Sequence, residues 1–214
     1  DYMRNDMRKR GILLLLLLLT LLLVTACGTE EPAEVTPEPA AETETNQDQQ
    51  ASEDRVVDMD KGIYQFEATD LDGNPVTQDI FSKADLTMIN VWGTFCAPCL
   101  EEMPGLGEIS RTYGTIDGKT FQIIGIVIDT LDHEANIDPA QVALAEEIVA
   151  KTNADYLHIL PSTDLILAKL QYVTAIPDTM FVDKFGNYVG EEYLGSKSKE
   201  EWISIIQKNM KTIQ

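Results

Sequence analysis

Cys96 and Cys99 have two residues between them in Trp92-Gly93-Thr94-Phe95-Cys96-Ala97-Pro98-Cys99. No other side chains of this sequence are as well placed for covalent chemistry. A thiolate is a strong nucleophile, and a helix N-terminus, with its free backbone N–H groups, favours negative charge. The apolar run from Leu86 to Trp92 reads as a strand, and Cys99 to Tyr113 reads as a helix. Cys96 would therefore start the helix with a lowered thiol pKa and attack a disulfide. Cys99, one turn on, would reach back and resolve the mixed disulfide. The plainer alternative is a pair of inert buried cysteines.

Glu102 follows Cys99 by three residues and shares its helical face. A partly buried carboxylate there, its pKa raised by desolvation, could take the proton of Cys99 as that thiol attacks. A solvated glutamate, which is how Glu101 reads, is the alternative. Pro104 should kink the helix or end it, leaving the first turn intact. A lone C-x-x-C could also be half of a zinc site. There is no second C-x-x-C, and only His133 and His158 could add imidazole. No metal is expected, and no cofactor beyond the redox-active pair itself.

The elements around the pair alternate strand and helix. Gly62 to Thr69 is a first strand, Asp72-Gly73-Asn74-Pro75 a turn, and a short strand follows. Phe121 to Ile128 is continuous and β-branched, as in a strand covered on both faces. Asp138-Pro139 starts a helix running to Ala150. Tyr156 to Leu160 is a short strand, and a short helix runs from Thr163 or Asp164 to Leu170. Thr179 to Val182 is a strand, Lys184-Phe185-Gly186-Asn187 a hairpin turn, and Tyr188 to Glu191 pairs back. Ser198 to Met210 is a terminal helix with Trp202, Ile203, Ile205 and Ile206 on its apolar side. This order predicts an α/β domain with a central mixed sheet flanked by helices.

Residues 1–26 of the 214 read as an export signal. Arg4, Arg8, Lys9 and Arg10 form a basic region, and Gly11 to Val24 is a leucine-rich run of 14 residues. That is short of the roughly 20 needed to span a bilayer core and right for a signal peptide. Val24-Thr25-Ala26-Cys27-Gly28 resembles a bacterial lipobox, so Cys27 is the expected lipidation site. The alternative is an ordinary signal peptide with an incidental Cys27. Residues 27–58 are acidic, poor in hydrophobes and rich in Pro, Thr, Ala and Gln, as in a disordered tether. Residues 59–214 form the folded domain. Of three cysteines, one is assigned to lipid and two to the C-x-x-C, so none remains for a structural disulfide. The net charge of −20, about −22 without residues 1–26, argues against nucleic acid and against electrostatic attachment to an anionic membrane.

Taken together, the motifs resemble the thioredoxin-like superfamily and, within it, the TlpA/ResA-type thiol–disulfide oxidoreductases. The resemblance spans roughly residues 60 to 214. It rests on Trp92 to Cys99, on Glu102-Met103-Pro104, and on Ala175-Ile176-Pro177-Asp178-Thr179-Met180-Phe181-Val182-Asp183. It implies a thioredoxin-like fold with an N-terminal β-hairpin extension. It places the proton acceptor at Glu102, because Asn90 stands where thioredoxins carry their acid and cannot titrate. It makes Pro177 a cis-proline packed against the cysteines, with the Ile176 backbone pairing with an extended client segment. Trp92, Phe95, Pro98 and Ile176 are the expected client contacts.

Three features depart from the family pattern. Phe95 replaces the commoner tryptophan, Asp178 follows Pro177 where threonine is frequent and adds negative charge near the site, and Ala97-Pro98 is neutral. The implied function is a lipid-anchored, extracytoplasmic reductase of exported protein disulfides, acting as a monomer. Apocytochrome c or a methionine sulfoxide reductase would be the client, and a membrane protein of the CcdA/DsbD type the electron donor. The alternatives are a peroxiredoxin-like peroxidase, against which the paired cysteines speak, and a copper carrier of the same fold.

Overall fold

In the computed structural model, residues 61–213 are described. The expectations for residues 1–26, Cys27 and the tether at 27–58 lie outside them. A two-stranded hairpin, β1 (Glu67–Thr69) and β2 (Pro75–Thr77), precedes a larger sheet. The sheet is built around β3 (Leu86–Trp92), which pairs in parallel with β5 (Lys119–Val127) and antiparallel with β7 (Asp178–Asp183). Outside β5 lie β6 (Leu157–Ile159), parallel, and β4 (Thr115–Ile116), antiparallel; β8 (Tyr193–Leu194) closes the other edge. The helices are α1 (Ala97–Thr112), α2 (Pro139–Thr152), α3 (Thr163–Ala168) and α4 (Lys199–Met210). None among the described residues is long and apolar enough to cross a membrane.

Alternation along the central strands sorts the core into two layers. Leu86, Met88 and Trp92 of β3 pack with Cys99, Met103, Leu106 and Ile109 of α1 and with Trp202 and Ile206 of α4. Ile89 and Val91 face the other way, toward Phe66, Val76, Phe81 and Leu165. All seven β3 residues are buried, which is why that stretch is apolar without a break apart from Thr87 and Asn90. Pro104 lies inside α1 without ending it.

Two predicted segments differ. The first strand covers only Glu67–Thr69, with Gly62 making an isolated bridge to Asn187. After the Lys184–Asn187 turn, Tyr188 bridges Val182, but the strand that pairs with β7 is Tyr193–Leu194. The chain breaks register at Gly190, whose φ of +72° is open to glycine and whose missing side chain admits Asn209. The β4–β5 hairpin was legible but not predicted. Its turn is Asp117-Gly118, both at positive φ, as a two-residue hairpin turn demands.

Gly125 of β5 lies beside Asn90 of β3 and lets two buried rings meet. The Trp92 indole N–H donates to His158 Nδ1 at 3.1 Å, and the other His158 nitrogen lies 2.8 Å from the Ala154 carbonyl. Burial, opposed by that carbonyl, holds His158 down at about 4, so the imidazole is neutral at physiological pH. A Cβ on Gly125 would lie 2.2 Å from His158 Nδ1. Gly125→Ala should therefore destabilise the domain by about 1–3 kcal/mol through overpacking. A thermal melt followed by tryptophan fluorescence checks this, and an unchanged midpoint would contradict it.

Candidate active site

Cys96 is the N-cap of α1, and its sulfur accepts the Cys99 backbone N–H at 3.2 Å. The two cysteines form a disulfide. Cys96 is 5% exposed and Cys99 not at all. The turn leading in is pinned by Asp129, which accepts both the backbone N–H and the hydroxyl of Thr94. Pro98 falls in the first turn of α1, where its missing N–H costs nothing, and is exposed.

Opposite the pair stands the Ile176–Pro177 peptide, which is cis. The Ile176 carbonyl oxygen lies 3.7 Å from Cys96 Sγ. Pro177 is buried, and its carbonyl accepts the Gly195 N–H at 2.9 Å. Phe95 is 72% exposed, and its ring converges with the Ile176 side chain over Gly93, where any Cβ would meet both. Trp92 is elsewhere. It is fully buried beneath the motif and bonded to His158, leaving no surface for a client to touch. An apolar residue at the end of a buried strand packs inward, so the client-contact expectation for Trp92 is corrected to a packing role.

Glu102, three residues past Cys99 in α1, is buried, 5% exposed, and its three hydrogen bonds all come from N–H donors. Asn90 Nδ2 donates to one carboxylate oxygen at 3.0 Å. The Lys197 backbone N–H and the Trp202 indole donate to the other, each at 3.0 Å. Burial pushes the carboxyl above its usual range, against those three bonds and the Lys197 charge, which favour ionisation. Asn90 also donates to Thr179 Oγ1. The Lys197 ammonium lies 5.3 Å above the Trp202 ring, so a cation backs the donor.

Asp178 does not add charge to the client-facing surface. It is fully buried, and Lys169 and Glu192 face it. Its parity along β7 sets it with Met180 and Val182, on the sheet face away from α1.

Several site residues were missed from the sequence. Trp202 was read only as an apolar helix residue, although an indole N–H needs a partner when buried. Lys197 contributes its backbone, which no side-chain pattern reveals. Asp129 follows a buried strand, which was the available signal.

The sequence profile of the AhpC/TSA family matches residues 59–188. A protein of Bacillus cereus named thiol-disulfide oxidoreductase ResA is 25% identical over 157 residues, covering 73% of this chain and 82% of that one. The crystal structure of a thiol:disulfide interchange protein of the thioredoxin family from Chlorobium tepidum superposes with a TM-score of 0.57. It is 21% identical and covers 70% of this chain and 96% of its own. A DsbF homologue from Corynebacterium diphtheriae gives 0.54, at 19% identity, over 69% and 85%. The two structures share the thioredoxin-like fold with this chain.

Proposed function

The chain belongs to the AhpC/TSA family and is a thiol–disulfide oxidoreductase of the TlpA/ResA type; from that premise we propose that it works outside the cytoplasm, tethered through Cys27, and reduces disulfides of exported proteins. The observation that carries this reading is the Cys96–Cys99 disulfide at the start of α1, with the buried Glu102 carboxyl on the same helix.

The cycle balances over two electrons. The reduced Cys96 thiolate attacks a client sulfur, forming a mixed disulfide and releasing one client thiolate. Cys99 gives its proton to Glu102 and attacks Cys96 Sγ. That breaks the mixed disulfide, frees the second client thiol and leaves Cys96–Cys99 oxidised, the state seen here. Two electrons from a membrane donor of the CcdA/DsbD type restore the dithiol. Apocytochrome c and an exported methionine sulfoxide reductase are the client candidates. Client contacts fall to Phe95, Pro98 and the Ile176 backbone beside Pro177, which line the open side of Cys96.

The reductase direction is tested by equilibrating the dithiol with a redox buffer. The potential should lie nearer that of thioredoxin, about −270 mV, than that of DsbA, about −120 mV. A value near the latter would make the protein an oxidant. Fractionation of cells carrying Cys27→Ser checks the tether. The variant should leave the membrane fraction, and retention there would refute lipid anchoring.

A further inference from the structure

We propose that Lys169, Asp178 and Glu192 are positioning residues, a buried ionic staple that holds segment 170–177 against the dithiol. This rests on the reading above, in which Ile176 and Pro177 form the wall a client meets.

Lys169 and Asp178 bracket that segment. Lys169 is the last residue before the 3-10 turn Leu170–Tyr172, and Asp178 is the first residue of β7. Between them lie eight residues that carry the wall and the exposed Tyr172. The segment has little backbone support of its own. Tyr172 and Val173 bond back to Lys169 and Leu170, but among the described residues no backbone bond is made by Thr174, Ala175 or Ile176. Leu170, Val173 and Ile176 add apolar contacts. The segment is thus fixed mainly at its ends.

At those ends the chain buries charge. Lys169 is 6% exposed and Asp178 fully enclosed. The Lys169 ammonium lies 3.7 Å from Asp178 Oδ2 and 2.5 Å from Glu192 Oε1. Glu192, from the stretch just before β8, is half-exposed and caps the pair from outside. Burial raises the Asp178 carboxyl. Burial also works to raise Glu192, but the neighbouring Asp178 and its bond to Lys169 outweigh that and lower it. Both carboxyls thus converge on the one Lys169 ammonium. Such a cluster adds little net stability but is costly to break, because removing one member strands another in the interior. A costly-to-break contact at both ends of a segment with few backbone bonds fixes its position. The staple lies on the sheet face away from Glu102, so it acts on the wall without touching the proton acceptor.

The test uses Lys169→Met and Asp178→Asn in the full chain, with Glu192→Gln as a variant whose half-exposed site protects folding. Two measurements are made. Hydrogen exchange in residues 170–177 should quicken in each folded variant, while α1 exchanges as in the wild type. With a disulfide-containing peptide, KM should rise about tenfold in Lys169→Met and Asp178→Asn with kcat nearly unchanged. Reduction of hydroxyethyl disulfide, too small to need the wall, should stay within about twofold. A destabilised protein with an intact wall would not show that split. Unchanged exchange in any folded variant overturns the staple. Faster exchange with unchanged peptide KM overturns its role in client positioning. If the wild type reduces no disulfide at all, the proposed function falls, and the exchange result alone decides the staple.

Discussion

Replacing Cys99 with serine should stop turnover and leave clients covalently held on Cys96. The attacking sulfur sits at the helix start, 5% exposed, and still receives the backbone N–H of residue 99, which serine retains. The first exchange therefore proceeds. The second does not, because the resolving thiol was the fully buried one next in line. Well-oriented intramolecular partners act at effective molarities of about 10⁵ M or more, so an external thiol at about 1 mM is a poor substitute. Turnover of a disulfide peptide should fall by at least about a thousandfold. Non-reducing gels should show adducts that a strong reductant releases. Cys96→Ser should lose turnover as completely and trap nothing. Adducts forming equally on Cys96→Ser would reverse the assigned order of the two sulfurs. Peroxide turnover persisting in Cys99→Ser would instead support the peroxidase reading, which needs a single cysteine.

The staple and the proton site differ in how far the sequence reveals them, and the reason is physical. A C-x-x-C between an apolar run and a helix is local information, and α1 and β3 follow from it almost residue by residue. The Glu102 position was legible because helical spacing places it below Cys99. Its donors were not, because Asn90, Lys197 and Trp202 come from a central strand, a loop and the terminal helix, joined only by the fold. Asp178 was misjudged for the same reason. Its charge was visible, but the face of β7 it occupies and the presence of Lys169 are set by sheet register. Trp92 shows the converse, since a motif residue adjoining two reactive sulfurs belongs to the core beneath them.

Glu102→Gln separates catalysis from stability at that position. To accept the Cys99 proton, Glu102 must be ionised, and its pKa is raised by burial. The wild-type resolution rate should therefore climb with pH along a limb displaced above the usual carboxylate range. Glutamine cannot take the proton. Resolution should slow by about a hundredfold near neutrality and lose that limb, leaving only the ionisation of the thiol itself. Stability should move the other way. A folded-state pKa above the unfolded value means the fold prefers the protonated carboxyl. Its contribution is fully present below the unfolded pKa and is lost as pH rises through the folded one. Wherever Glu102 is ionised, the wild type carries the cost of a buried charge that glutamine does not. The amide also fits the cradle. Its oxygen can accept from Lys197 and Trp202, while its NH₂ can donate to Asn90 Oδ1 once the Asn90 amide turns and the Thr179 hydroxyl donates to that oxygen instead of accepting from Nδ2. The thermal midpoint at neutral pH should thus match or exceed that of the wild type, and its dependence on pH between acid and neutral should flatten. Stopped-flow resolution of a mixed disulfide, run beside melts across the same pH range, reads both effects. A variant that resolves at the wild-type rate would remove Glu102 as the proton acceptor. A large fall in midpoint would show that the three donors require a carboxylate.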